Sequence, residues 1–188
     1  MYSIDLMEQE HDNIMVLIKC MRNACCGLLE GKPVEQSDFL DMIHLARSYA
    51  DKHHHGKEEQ ILFREMTNSL GRVAVNLIQH GMLVEHDLGR LHIGQLEAAL
   101  ERYSSEPSTM EKLNIIASAS GYASLLQRHI DKENAVVFSF AKRSLSQETQ
   151  DKIDREVQLF EDNERAQRDT DLQLLERLSA KYASLLYS

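Results

Sequence analysis

His54-His55-Gly56-Lys57-Glu58-Glu59-Gln60-Ile61-Leu62-Phe63 and His129-Ile130-Asp131-Lys132-Glu133-Asn134-Ala135-Val136-Val137-Phe138 are two versions of one segment. The ungapped offset between them is 75 residues; it matches His, Lys, Glu and Phe and keeps an aliphatic pair before Phe. The same offset carries Met7-Glu8-Gln9-Glu10-His11-Asp12 onto Met82-Leu83-Val84-Glu85-His86-Asp87, where Met, Glu, His and Asp recur. Two copies are too few for a solenoid, so the repeat predicts a bundle with a pseudo-twofold axis.

The rest of the chain is written in helices. Its 188 residues hold 8 Gly and 2 Pro, where average usage gives roughly 13 and 9. Aromatic residues make up 6% and Trp is absent, which disfavours a sandwich or barrel. Apolar residues at three- and four-residue steps, such as Met7, Ile14, Ile18 and Met21, mark helical faces. Five segments separate: about Ser3 to Leu29, Ser37 to Ser69, Val73 to Tyr103, Ser108 to Ser144, and Ser146 to the end. Glu30-Gly31-Lys32-Pro33, Gly71 and Ser104-Ser105-Glu106-Pro107 punctuate them. The expected fold is all-α: an up-down-up-down four-helix bundle over residues 1–145, with a helical extension over 146–188.

Charge and composition exclude several functions. The net charge of −9 argues against nucleic acid as a partner, which needs a basic footprint. No stretch approaches the 18 apolar residues of a membrane span. The first residues lack the basic and apolar regions of a secretory signal. Cys20, Cys25 and Cys26 crowd one segment in an odd number, so they read as small buried residues rather than a staple. A reduced, cytoplasmic setting is expected.

Both halves keep a lone His on one helix and His-x-x-x-Glu on the next. Residues i and i+4 share a helix face, so His54 with Glu58, and His129 with Glu133, present an imidazole and a carboxylate to one point. His11 and His86 complete six inward donors. Carboxylates are costly to bury without a cation or partner. Imidazole with carboxylate suits iron, zinc or manganese, whereas calcium or magnesium takes mostly oxygen. Two bridging carboxylates and four imidazoles serve two ions, each receiving two nitrogens and two oxygens. His55 and Glu59 share the same spacing; the repeat selects His54 and Glu58, which alone align with the second copy.

At these residues the sequence resembles the hemerythrin-like family, or HHE cation-binding domains. His11, His54-Glu58, Glu85-His86 and His129-Glu133 fill the family pattern, over about residues 3–140. The resemblance implies two non-haem iron ions, bridged by carboxylates and an oxo or hydroxo group, that take O₂, NO or peroxide. Met82 stands four residues before His86, where the oxygen carriers have His. The similarity is therefore to the four-His, two-Glu subgroup, linked to nitrosative stress and iron–sulfur repair. It implies binding of a diatomic ligand for sensing, storage or scavenging. The alternatives are a di-iron enzyme handling NO, peroxide or O₂, and a structural zinc bundle.

Of the other histidines, His44, His80 and His92 read as surface or interhelix residues, and His53 as facing solvent. Tyr122 lies two turns before His129 and reads as a packed core residue, or as a gate near the metals. Glu10 and Glu85 suit hydrogen bonds to ligand imidazoles on other helices. In the tail, Ile153, Val157 and Phe160, then Leu175, Leu178, Tyr182 and Leu185, form an apolar stripe. It would lie across the bundle or join two copies as a homodimer. The polar stretch between, Glu161 to Asp171, reads as a solvated face.

Overall fold

The computed structural model describes residues 1–182, so Leu185 lies outside the described residues. Five helical rods account for nearly all of them: α1 (Tyr2–Leu29), α2 (36–69), α3 (71–105), α4 (109–144) and α5 (Gln147–Tyr182). The predicted boundaries hold to within a few residues. Gly31, at φ 86°, and Gly71, at φ 67°, adopt the left-handed backbone that only glycine takes cheaply. Ser108 caps α4 by accepting a hydrogen bond from the Glu111 amide at 3.2 Å. The Ser146 hydroxyl accepts from Thr149 in the same way before α5.

The first four rods close a ring in which α1 packs on α4, α4 on α3, α3 on α2 and α2 on α1. Short connections make neighbours antiparallel, as expected for an up-down-up-down bundle. The interior has two apolar cores. One holds Ile14, Ile18, Phe39, Ile93, Leu96, Ile115 and their neighbours. The other holds Met7, Leu62, Phe63, Met82, Val137 and Phe138. A layer of buried polar side chains lies between them on each of the first four rods: His11 on α1, His54 on α2, His86 on α3 and His129 on α4.

Three of the four bundle rods are not α-helical throughout. Glu58–Phe63 in α2 and Glu133–Val137 in α4 form π-helical turns, at positions related by the 75-residue repeat. Ala46–His55 in α2 and Ile78–Met82 in α3 are π-helical as well. Such turns cluster at functional sites.

α5 lies along α1 and α2. Its stripe of Ile153, Val157, Leu175, Leu178 and Tyr182 is buried against the chain's own bundle, so the stripe that suggested a homodimer is turned inward. The solvated-face expectation for Glu161–Asp171 holds only in the middle. Both end residues are buried, because each meets partners on the bundle. Asp171 accepts from His44 Nε2 at 2.9 Å and Ser48 Oγ at 2.6 Å. Among the described residues, no helix is long and apolar enough to cross a membrane.

Candidate metal centre

The structure brings together all six side chains singled out above. His11, His54, Glu58, His86, His129 and Glu133 are each 2% exposed or less. Glu58 reaches His54 Nε2 with one oxygen and His86 Nε2 with the other, both at 3.6 Å. One oxygen of Glu133 lies 3.3 Å from both His11 Nε2 and His129 Nε2; the other lies 3.9 Å from His86 Nε2. Adjacent donors on one ion, each about 2.1 Å from it, sit roughly 3 Å apart. The two carboxylates are thus placed between two groups of imidazoles at separations that sharing a cation requires.

A seventh donor joins them. Sequence spacing set His55 aside, yet it is buried, and its ring stacks on His86 with centroids 3.7 Å apart. Two donor groups result: His11, His54, Glu58 and Glu133; and His55, Glu58, His86 and His129. Grouped this way, one set offers two imidazole nitrogens and the other three, where the sequence led us to expect two and two. The miss has a physical cause. An α-helix turns about 100° per residue, so adjacent histidines cannot share a face. In the wider i→i+5 turn of 46–55 each residue advances by less, and His54 and His55 both reach the interior. His55 has no counterpart in the other half, where the repeat places Ile130.

Every imidazole is held by its outer nitrogen. His54 Nδ1 donates to Glu10 and His129 Nδ1 to Glu85, both at 2.9 Å, as the spacing of Glu10 and Glu85 suggested. His86 Nδ1 donates to Glu59 at 2.6 Å, His11 Nδ1 meets Asn134 Oδ1 at 2.8 Å, and His55 Nδ1 meets Asp51 at 3.2 Å. Such outer partners fix the tautomer and aim the other nitrogen. The repeat relates Glu59 to Asn134 and Lys57 to Lys132, so the aligned stretch itself already held the signal for them. Two lysines complete the pattern: Lys57 donates to Glu10, and Lys132 to Glu85.

The inward atoms lack partners. Nε2 of His11, His54 and His55, and all four oxygens of Glu58 and Glu133, are buried without a hydrogen bond among the described residues. His86 Nε2 and His129 Nε2 face each other at 3.1 Å, and each ring already gives its Nδ1 proton to a carboxylate. Such a set is costly in an apolar interior unless a cation satisfies it. Burial and the charge of Glu133 hold the Glu58 carboxyl well above the usual range. Burial and then the charge of His11 bring His54 down to about 4. The donor set therefore fits metal ions, and imidazole with carboxylate fits iron, zinc or manganese.

His53 does not face solvent. It is buried where α5 crosses α2, with Nε2 3.1 Å from Glu10 and 3.0 Å from Glu161. Its expected exposure came from reading the bundle without the rod that covers it. Tyr122 is 3% exposed and makes no hydrogen bond among the described residues. With His55, His86, Arg47, Asp51 and Arg90 it lines a cavity of about 360 Å³ beside the second donor group. His80 is exposed, His44 bonds Asp171, and His92 packs on Gly121. The thiols are free, and burial pushes Cys20 up to about 11 and Cys25 to about 12.

A family model described as Hemerythrin HHE cation binding domain matches residues 2–141. No curated protein and no solved structure matches the chain.

Proposed function

The chain belongs to the hemerythrin HHE cation-binding family, and from that premise we propose that it is a non-haem di-iron protein that binds O₂ or NO for sensing, storage or scavenging. The observation that carries this is the set of buried imidazole nitrogens and carboxylate oxygens with no partner among the described residues. His11, His54, His55, His86 and His129 would hold the ions, with Glu58 and Glu133 shared between them. Two ferrous ions would supply an open coordination position and reducing electrons to a diatomic ligand. Residues 1–145 form the metal-binding unit and 146–188 the extension, in a reducing cytoplasmic setting that suits the free thiols.

The chain's own groups do the rest. Four outer carboxylates and the Asn134 amide oxygen accept the Nδ1 protons and so aim the five Nε2 atoms inward. Phe138 stacks on His11 at 5.4 Å, and Phe63 lies 6.0 Å from His86; these rings, with Met7 and Met82, exclude water from one side. One feature leaves room for a reactant beside the second donor group, the cavity lined in part by Tyr122. It supports the second reading, an enzyme that turns over NO, peroxide or O₂.

Metal analysis with an optical spectrum in air tests the proposal. Two irons per chain with charge-transfer bands support it. Zinc without such bands, or well under one metal per chain after growth with iron, sinks it. Adding O₂ or NO to the reduced protein separates binding, seen as a reversible adduct, from turnover, seen as ligand consumption.

A further inference from the structure

The repeat builds one triad twice, and α5 treats the two copies differently. In each, a candidate ligand gives its Nδ1 proton to a glutamate that also takes a lysine: His54–Glu10–Lys57 and His129–Glu85–Lys132. Lys132 stands in solvent, its side chain 46% exposed. Lys57 is wholly buried, and its second carboxylate is Glu161 of α5. His53 Nε2 lies within 3.1 Å of Glu10, Glu161 and Lys57 alike. The other oxygen of Glu161 accepts from Arg168 at 2.8 Å. An unbroken line of charged groups thus runs from α5 to a single imidazole of the centre. In a dry interior such links act strongly on one another, whereas water screens the exposed copy.

We propose that Glu161 is a positioning residue through which α5 sets the strength of His54 as a metal donor. A carboxylate on the outer nitrogen raises the basicity of a ligating imidazole. Lys57 draws charge from Glu10 and weakens that effect. Glu161 competes for Lys57 and restores it, and Arg168 in turn tempers Glu161. The sign at each link is fixed: removing charge from Glu161 weakens His54, and removing charge from Arg168 strengthens it. The other half has no equivalent control, so the two ions respond differently to the same helix. This inference rests on the two-metal reading above.

Full-length protein loaded with ferrous iron tests it, through the rate of iron release to a chelator and its separation into two phases. Glu161→Gln keeps the shape and the acceptor for Lys57. We expect it to speed one phase about threefold, a fraction of the 10–100-fold that a direct outer partner commands. Arg168→Gln should slow that same phase. Asp171→Asn is the control. It removes an equally buried negative charge from α5, with bonds to His44 and Ser48 and none to a ligand, and should leave the phases in place while lowering the melting temperature. Equal acceleration by Glu161→Gln and Asp171→Asn overturns the proposal, as does a shift of both phases together. If Glu161→Gln does not fold, Arg168→Gln decides alone: a slower phase supports the link, and an unchanged or faster one overturns it. A wild-type chain with well under one metal sinks the two-metal reading and this inference with it. Two metals with unmoved phases sink the inference alone.

Discussion

His55 and His86 lie face to face, with ring centroids 3.7 Å apart and planes 6° from parallel. Such a stack tolerates one charge poorly and two worse. Burial first, then the charge of His86, holds His55 well below its ordinary pKa. A neutral, inward Nε2 is what a metal ligand needs.

Replacing that ring should therefore affect metal rather than fold alone. We expect His55→Ala to weaken the second metal equivalent at least tenfold, measured by titration against a competing chelator. His53→Ala removes the neighbouring ring and leaves all seven donors. Equal losses in the two variants would show that His55 only fills space.

Glu58 gives a test in the metal-free chain. Its folded pKa is raised above the unfolded value, so the stability it contributes is fully present below about pH 4.5 and is lost as pH rises through the folded value. Glutamine copies the protonated form. Metal-free Glu58→Gln should thus exceed wild type at pH 7 by about 1–3 kcal/mol, with the gap closing toward pH 4. Metal should reverse the order. Denaturant melts at the two pH values measure this, and a less stable metal-free variant at pH 7 counts against the argument.

Arg90 serves two outer partners at once. It donates to Asp51 at 2.7 Å and to Glu59 at 2.8 Å, which in turn hold His55 and His86. Arg90→Ala should loosen two of the three imidazoles of one donor group and neither of the two in the other. The expected result is weaker binding of one metal equivalent, on the order of tenfold, with the other unchanged. An even loss across both equivalents would refute the assignment.

The extension is expected to be required for folding. Without α5, Lys57 loses its second carboxylate, Glu161, together with the cover that keeps its pairing with Glu10 dry. Ile153, Val157, Leu175 and Leu178 also leave their places in the core, at about 1.5–3 kcal/mol each. That sum rivals the whole stability of a domain. A chain ending at residue 145 should show no cooperative thermal transition by circular dichroism unless metal is added. A sharp metal-free transition near that of the full chain would contradict this.

The bundle and the clustering of its buried His and Glu side chains were largely legible because both rest on periodicity. Gly31, Gly71, Ser108 and Ser146 marked the helix ends by local chemistry alone, and the 75-residue repeat matched His11 to His86 and His54 to His129. What escaped was whatever broke the period or came from outside the repeat. His55 enters the interior only because the turn around it is wider than an α-helix. His53, Glu161 and Asp171 are buried only because α5 covers α2, and sequence spacing does not say which rod a polar face will meet. Lys57 illustrates the same limit: a lysine between His54 and Glu58 reads as surface until two carboxylates close over it.

The π-helical turns at Glu58 and Glu133 bear on kinetics as well as geometry. Wide turns pack less closely about their own axis than the α-helix they interrupt, so we expect the backbone there to open at lower free energy than its flanks. The segments that carry the shared carboxylates are then the first to admit water in the metal-free chain and the last to close. Ions can enter by transient opening of the wall, as well as from the cavity that reaches His55 and His86. Amide protons of 58–63 and 133–137 should exchange ahead of the rest of the interior until metal arrives to lock them.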